Sequence, residues 1–456
     1  MVISWAYYPN VTREGCPMVN DAKDSRQSTR FSRSNSLEPN RRLLRFFPGL
    51  QGNARVMVMM EPMWAIPYLF FYTYSTLYMR GLGLTEPQVG LTLSIASASS
   101  MIIGLIGAPI ADRLGRKKTC TVFGLITWSI PTLIWALARD FRYFVIAGII
   151  NGFVGIVSPS YNCLLIEDTP PENRLSVFAA LQLVSMLPGF FLPLSGVFVR
   201  NMGVVPATRM FYFAACIIMT AFFLIRNRYL TESDVGTERI AATKGHDFKD
   251  SLTGYVEVLE RLRKNHAALV ILIVNSLVFL RDSIIASMQQ IYIVENLRID
   301  PVYVGILPAV SAAAQLLALF FILTRPRDDR TEGRLLLVAL SLLVLGVLVF
   351  LLTPEGCLGL VLMSTVLTAL GSSLASPTLS TALNNVLANE DRVRVLSLSM
   401  VIQNLMRMGG TASSGFLYKS RPVIPFEVAL GLSIACLVIY FIYLRRQGNT
   451  QASSDN

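Results

Sequence analysis

The sequence predicts an all-α membrane protein of about twelve transmembrane helices, arranged as two pseudo-symmetric six-helix bundles. Three observations carry this expectation. Apolar runs of about 20 residues recur along most of the chain. Only 15% of the 456 residues are charged while 53% are apolar, and the charges gather between the apolar runs. The second half also echoes the first in sequence.

Helices are expected at 56–79, 88–111, 118–138, 142–166, 175–199 and 208–228, and again at 266–294, 303–324, 334–353, 357–387, 394–418 and 424–444. Residues 1–54 are polar and rich in Arg, Ser and Asn. They read as a solvated, disordered tail, with a transit peptide or a misassigned start as the alternatives. The first bundle is expected over 55–228, a linker over 229–265, the second bundle over 266–446 and a short tail over 447–456. Within the linker, Phe248, Leu252, Val256, Leu259 and Leu262 recur at helical spacing. They predict a short amphipathic helix on the cytoplasmic face.

The charge pattern sets the orientation. The N-terminal side of the expected membrane carries 30 of the 40 Lys and Arg residues, and the opposite loops carry 8. Both termini are therefore expected in the cytoplasm, with the chain in the plasma membrane. Topology accounts for the net charge of +11 without a nucleic-acid partner. The six cysteines stand singly, with no CxxC, and His246 and His266 are the only histidines. Neither a disulfide framework nor a metal site is supported, and no cofactor is expected. There is no GxxxxGK[ST] and no HExxH, so an ATP-driven pump and a zinc hydrolase have no motif here.

The internal repeat has an offset of 218 residues. Gly115-Arg116 falls on Gly333-Arg334, Ser158-Pro159 on Ser376-Pro377, Glu172 on Glu390, Arg174 on Arg392 and Val177 on Val395. Parallel halves of this kind place a binding site near the membrane midplane, between them. Polarity sorts the helices further. The third, sixth, ninth and twelfth are apolar all round and suit lipid. Others carry polar stripes that suit a wet cavity: Tyr68 and Tyr72 on the first helix, Asn151 on the fourth, Asn275 and Gln289 on the seventh, and Gln403 and Asn404 on the eleventh.

Four charges fall inside the expected spans: Glu61 in the first helix, Arg281 and Asp282 in the seventh, and Arg407 in the eleventh. Each ionised group at the bilayer centre costs about 2.5–3.5 kcal/mol even on the mild insertion scale, so each should face inward and find a partner. Asp282 is expected to pair with Arg407. Arg281, about 100° around the helix from Asp282, is left for substrate or for Glu61. Glu61 and Asp282 are the candidates for carrying a proton, because occlusion from water and exposure to it switch a carboxyl's protonation.

The loop "ADRLGRKK", residues 111–118, resembles the signature loop of the major facilitator superfamily. Asp112, Arg113, Gly115, Arg116 and Lys117 match its pattern, while Ala108 and Ile110 depart from it. With the repeat, the resemblance extends over nearly the whole chain after residue 55. It implies a secondary active transporter of a small organic solute working by alternating access as a monomer. It also implies that Asp112 engages the start of the eleventh helix as a gate. The second copy, "PRDDRTEGR", is degenerate.

The subfamily is less clear. Drug–proton antiporters carry an Arg in the fourth helix where this chain has Gly148, and their fifth-helix glycine pattern is poorly matched by "SMLPGFFLPLSG". Sugar porters show PESPR after the sixth helix; this chain has "RNRYLTES". General similarity favours proton-coupled efflux of an organic compound. The alternatives are uptake of an organic anion, with Arg281 and Arg407 as anion ligands, and a non-transporting receptor or scaffold of the same fold.

Overall fold

The computed structural model describes residues 50–170, 173–242, 265–320, 329–386 and 392–454. The polar tail, the amphipathic linker segment and the start of the degenerate second signature loop lie outside these residues. Among the described residues all regular structure is helical.

The long helices are α1 Gly52–Gly81, α2 Glu86–Gly104, α4 Arg116–Ala136, α5 Phe141–Ile166, α6 Ser176–Met202 and α7 Val204–Tyr229. After the linker come α9 His266–Asn296, α10 Pro301–Ala318, α11 Asp329–Leu351, α12 Leu358–Val386, α13 Arg392–Ser420 and α14 Ile424–Ser454. Two short helices, α3 Gly107–Leu114 and α8 Asp234–Ala242, lie between. Capping residues in the sequence explain several starts. Thr85 and Gln88 form a reciprocal capping box at α2, and Asp140, Asn265 and Asp300 accept backbone N–H bonds at the starts of α5, α9 and α10.

Nine of these helices are long and apolar enough to cross a membrane: α4 to α7, α9 to α12, and α14. Large apolar side chains stand exposed on them, among them Leu133, Ile217, Leu224, Leu345 and Val438. A water-soluble surface does not expose apolar area on this scale. The three other long helices, α1, α2 and α13, fall outside that set. Here α2 and α13 pack along each other closely. A Cβ added at Gly90 of α2 would lie 2.5 Å from the Thr411 carbonyl oxygen of α13, so only glycine permits this approach.

The end of the molecule where α1 begins (the near end) differs from the end where α1 stops (the far end). At the far end one continuous core joins α1, α2, α4, α5 and α7 to α9, α10, α11, α12 and α14. Tyr292, Phe350 and Phe426 make mutual ring contacts at 4.8 to 5.5 Å within it. Arg80 of α1 bonds Glu295 of α9 at 2.9 Å across the same end. That pair is partly exposed and contributes little; the shared apolar packing holds the far end shut. At the near end the described core divides. One cluster involves α1, α4, α5 and α6, and a separate one involves α9 to α14.

The first group of helices is stitched together at the near end by polar contacts. Asn53 of α1 donates to Asp168 at 2.7 Å and exchanges bonds with the Thr231 backbone. Burial raises the Asp168 carboxyl above its ordinary value; the Asn53 hydrogen bond opposes this, and Glu167 and Asp234 add to it. The signature loop joins the same network. Asp112 pairs with Arg116 at 2.8 Å, and the Arg116 Nε lies 3.5 Å from Glu167. Glu167 also accepts from Ser233. Arg113 is exposed and Lys117 half-buried. The Glu232 carboxylate accepts the Arg116 and Lys117 backbone N–H groups at 2.7 and 3.0 Å. It thereby satisfies two orphan donors at the positive end of α4. Gly115 has a φ of +86°, and a Cβ there would collide with Glu232.

The start of the eleventh helix, where Asp112 is expected to make contact, lies outside the residues whose side chains are described. The Asp112 carboxylate turns back to Arg116 across the Gly115 turn.

Two substitutions test this packing. Gly90→Val should destabilise the purified protein by about 1–3 kcal/mol through overpacking, read as a lower melting temperature; an unchanged value would contradict the close α2–α13 approach. Glu232→Ala should cost about 0.5–2 kcal/mol as a lost cap, with Glu232→Gln losing less. Equal melting of all three proteins would show that Glu232 does not anchor α4.

Candidate functional site

The candidate site is a small cleft with about 30 Å³ of internal space, lined by Glu61 and Trp64 of α1, Trp128 of α4, Val157 and Tyr161 of α5, Leu181 and Ser185 of α6, and Phe222, Phe223 and Arg226 of α7. Every wall comes from the first group of helices. Glu61 lies nine residues into α1, roughly 14 Å from its start at 1.5 Å per residue. The cleft thus belongs to the near half of the bundle.

Local structure explains how these side chains reach one space. α4 contains a π-helical turn at Leu125–Ser129, which rotates Trp128 onto α1. The Thr127 carbonyl in that turn is taken up by the Asn151 amide at 3.0 Å. Asn151, expected to line a cavity, therefore braces α5 against the π turn. Trp64 stacks on Tyr68 at 4.9 Å, Tyr68 on Tyr72 at 5.2 Å, and Trp128 stands edge-on to Trp64 at 5.0 Å. Helical spacing along α1 puts these rings on one face, and they roof the cleft toward the far end.

Two charges meet the cleft. Glu61 is 7% exposed and accepts a 3.0 Å hydrogen bond from the Tyr161 hydroxyl. Arg226 is 3% exposed. Its guanidinium carbon lies 4.6 Å from the Phe222 ring centre, 5.1 Å from Phe223 and 5.8 Å from Tyr161. Desolvated cation–π contacts of this kind are worth up to about 2 kcal/mol. Its Nε and Nη2 have no hydrogen-bond partner. Among the described residues Glu61 and Arg226 form no ion pair with each other.

The remaining intramembrane charges do not pair as expected. Asp282 is held by Arg281, its neighbour in sequence, not by Arg407. The Arg281 side chain is long enough to fold back into the α9–α11 interface. There it is 1% exposed and its Nη2 also reaches the Leu343 carbonyl at 3.5 Å. Arg281 therefore meets neither Glu61 nor an open cavity, whereas the Asp282 side chain stays 44% exposed. Arg407 lies 6.0 Å from the Phe279 ring and acts electrostatically on Tyr68 and Tyr72. These three stand where α13 and α9 face α1. Gln403 bonds Ser399 of its own helix, and Asn275, Gln289 and Asn404 are half-buried.

The structure thus offers two groupings: the cleft around Glu61 and Arg226, and a polar boundary containing Arg407, Tyr68 and Tyr72. The expectation of a site between the halves fits only the second. Arg226 escaped the sequence reading because it stands three residues before the end of α7 and counts there as one more basic loop residue. The signal available was its place among Phe222, Phe223 and Tyr229 at helical spacing.

Comparison with known proteins fits this architecture. The Major Facilitator Superfamily profile matches residues 63–280 and again 271–455. The quinolone resistance protein NorA of Staphylococcus aureus (strain MSSA476) is 26% identical over 373 residues, covering 80% of this chain and 89% of that protein. A gallate transporter of Pseudomonas putida is 30% identical over 113 residues, 25% of this chain and 24% of that protein. Among solved structures, the nucleoside transporter NupG superposes with a TM-score of 0.65 at 12% identity, covering 87% of this chain and 99% of that one. A bacterial homolog of the human lysosomal transporter Spinster superposes with a TM-score of 0.62 at 15% identity, covering 90% and 98%. The structural likenesses establish the fold, the relatives are transporters and not enzymes, and the profile covers both halves in turn. The chain is a multi-pass membrane protein that belongs to the Major Facilitator Superfamily.

Proposed function

We propose that this protein is a secondary active transporter that exports a small organic solute across the plasma membrane in exchange for protons, by alternating access. In this reading α1, α2 and α13 also cross the bilayer. Twelve spans then form two six-helix bundles, over 55–228 and 266–446, that work as a monomer.

The observation that carries the proposal is the asymmetry of the core. The two groups of helices share packing at the far end and have separate cores at the near end. The near end is the one rich in Lys and Arg, so the positive-inside rule makes it cytoplasmic. The two groups of helices then part at the cytoplasmic end, as a substrate taken from inside requires. The signature-loop network ties the first bundle into a unit that rocks against the second. Similarity to a quinolone resistance protein over 80% of the chain supports efflux.

Glu61 is the group proposed to take up and release the proton. It is buried, bonded to the titratable Tyr161 hydroxyl, and faces Arg226 across the cleft. Arg226 supplies from α7 the positive charge that Gly148 lacks in the fourth helix. Asp282 is secured by Arg281 and has a structural role.

A second reading, proton-coupled uptake of an organic anion, is favoured by the unfilled guanidinium of Arg226 and by the local match to a gallate transporter. The direction in which an imposed pH gradient drives a fluorescent quinolone in proteoliposomes separates the two readings.

In that assay Glu61→Gln should abolish pH-driven movement while Asp282→Asn retains it. Undiminished pH-driven transport by Glu61→Gln would remove Glu61 as the carrier.

A further inference from the structure

Arg226 is 3% exposed, yet two of its donor atoms, Nε and Nη2, have no acceptor. Their N–H groups lie on one edge of the guanidinium and point the same way, so one acceptor atom placed there receives both. Phe222 and Phe223 stand 4.6 and 5.1 Å from the guanidinium carbon. These rings hold the group in place and cover its faces, but they do not accept the hydrogen bonds of its edge.

The cleft that Arg226 lines has about 30 Å³ of internal space. One water molecule needs about 10–15 Å³ of such space. The cleft therefore takes an occupant of one heavy atom, with room for an atom larger than a water oxygen. Among the described residues that line it, only Glu61 and Arg226 carry a full charge. The other ionisable groups facing this pair are the Tyr161 hydroxyl of α5 and, behind it, the Cys120 thiol of α4, which in turn faces Arg116, Glu167 and Glu232. From α6 come Leu181 and Ser185, neither of which ionises.

From this geometry we infer that the cleft binds a single halide ion, held by the Nε–H and Nη2–H of Arg226, and that it does so when Glu61 is protonated. With Glu61 ionised, the two charges lining the cleft cancel and the carboxylate repels an anion. With Glu61 protonated, the cleft carries a net positive charge away from water, which is costly. A water molecule there would satisfy the N–H groups and leave that charge uncompensated; a halide does both. Proton and halide thus enter together, with no net charge added to the cleft. The inference deepens the proposed proton uptake by Glu61 and rests on it for its pH dependence.

Trp64 and Trp128 line the same cleft and report its occupant, because a heavy halide held beside an indole quenches its fluorescence. The purified full-length protein is titrated with sodium bromide, with sodium gluconate keeping the ionic strength constant, at acid and at alkaline pH. Quenching should saturate at acid pH and be reversed by chloride. Above the pH at which Glu61 ionises, the apparent dissociation constant should rise about tenfold per pH unit. Glu61→Gln fixes the cleft in its positive state and should bind bromide equally at both pH values. Arg226→Met should lose the saturable quenching.

Quenching that rises linearly with bromide in the wild type as in Arg226→Met would mean that water alone fills the cleft, and would overturn the assignment. Saturable quenching with the same pH dependence in the wild type and in Glu61→Gln would overturn the joint entry of proton and halide. Should Arg226→Met fail to fold, the comparison of wild type with Glu61→Gln decides alone. The transport assay reads the exchange separately. Saturable quenching together with undiminished pH-driven transport by Glu61→Gln would keep the halide site and remove Glu61 as the proton carrier; abolished transport by that variant without saturable quenching in the wild type would keep the exchange and remove the halide.

Discussion

An ionised side chain inside a bilayer-spanning bundle must be compensated from within the protein, because no water is there to do it. Three charges in this chain show three solutions. Arg281 folds onto Asp282 and the Leu343 carbonyl and is sealed among α9, α11 and α14. Glu61 takes the Tyr161 hydroxyl. Arg226 lays its faces on aromatic rings and leaves one edge free. The first arrangement is closed and suits structure. Arg226 is left incomplete and shares one cleft with Glu61, and incompleteness is what a binding site requires.

The same constraint orders the helices around them. Those that can face lipid on all sides, such as α11 and α14, expose Leu345 and Val438. Those with polar stripes turn inward. Close approach between α2 and α13 is possible only because Gly90 and Gly415 carry no side chain. The far end therefore closes by backbone proximity and aromatic packing, and the near end is organised by hydrogen bonds within the first group of helices. Glu232 is central to the latter. It reaches from beyond α7 to the start of α4, so the segment leading into the linker is tied to the signature loop.

Much of this was legible in the sequence. Apolar runs and turn signals placed most of the long helices to within a few residues, although α2 stops at Gly104 and not at 111, and α14 runs on to Ser454 and not to 444; Asp112 and Gly115 were visible as more than a basic loop. Side-chain destinations were less accessible. The separation of about 100° between adjacent helical residues suggested that Arg281 and Asp282 diverge, but an arginine has enough rotatable bonds to overcome it. Arg226 was hidden by its position near a helix end, where Lys and Arg ordinarily report topology. Its burial depends on α4, α5 and α7 meeting, a property of packing rather than of spacing. The π turn in α4, which sets Trp128 and engages Asn151, likewise has no local sequence mark.

The most direct test of the account is sided labelling of the cleft. With Ser185→Cys in a background free of other cysteines, a membrane-impermeant thiol reagent should modify the α6 wall from the side of the termini, and a bound ligand should protect it. Labelling from the opposite side alone, or equally from both sides without ligand, would contradict access to the site from the side of the termini.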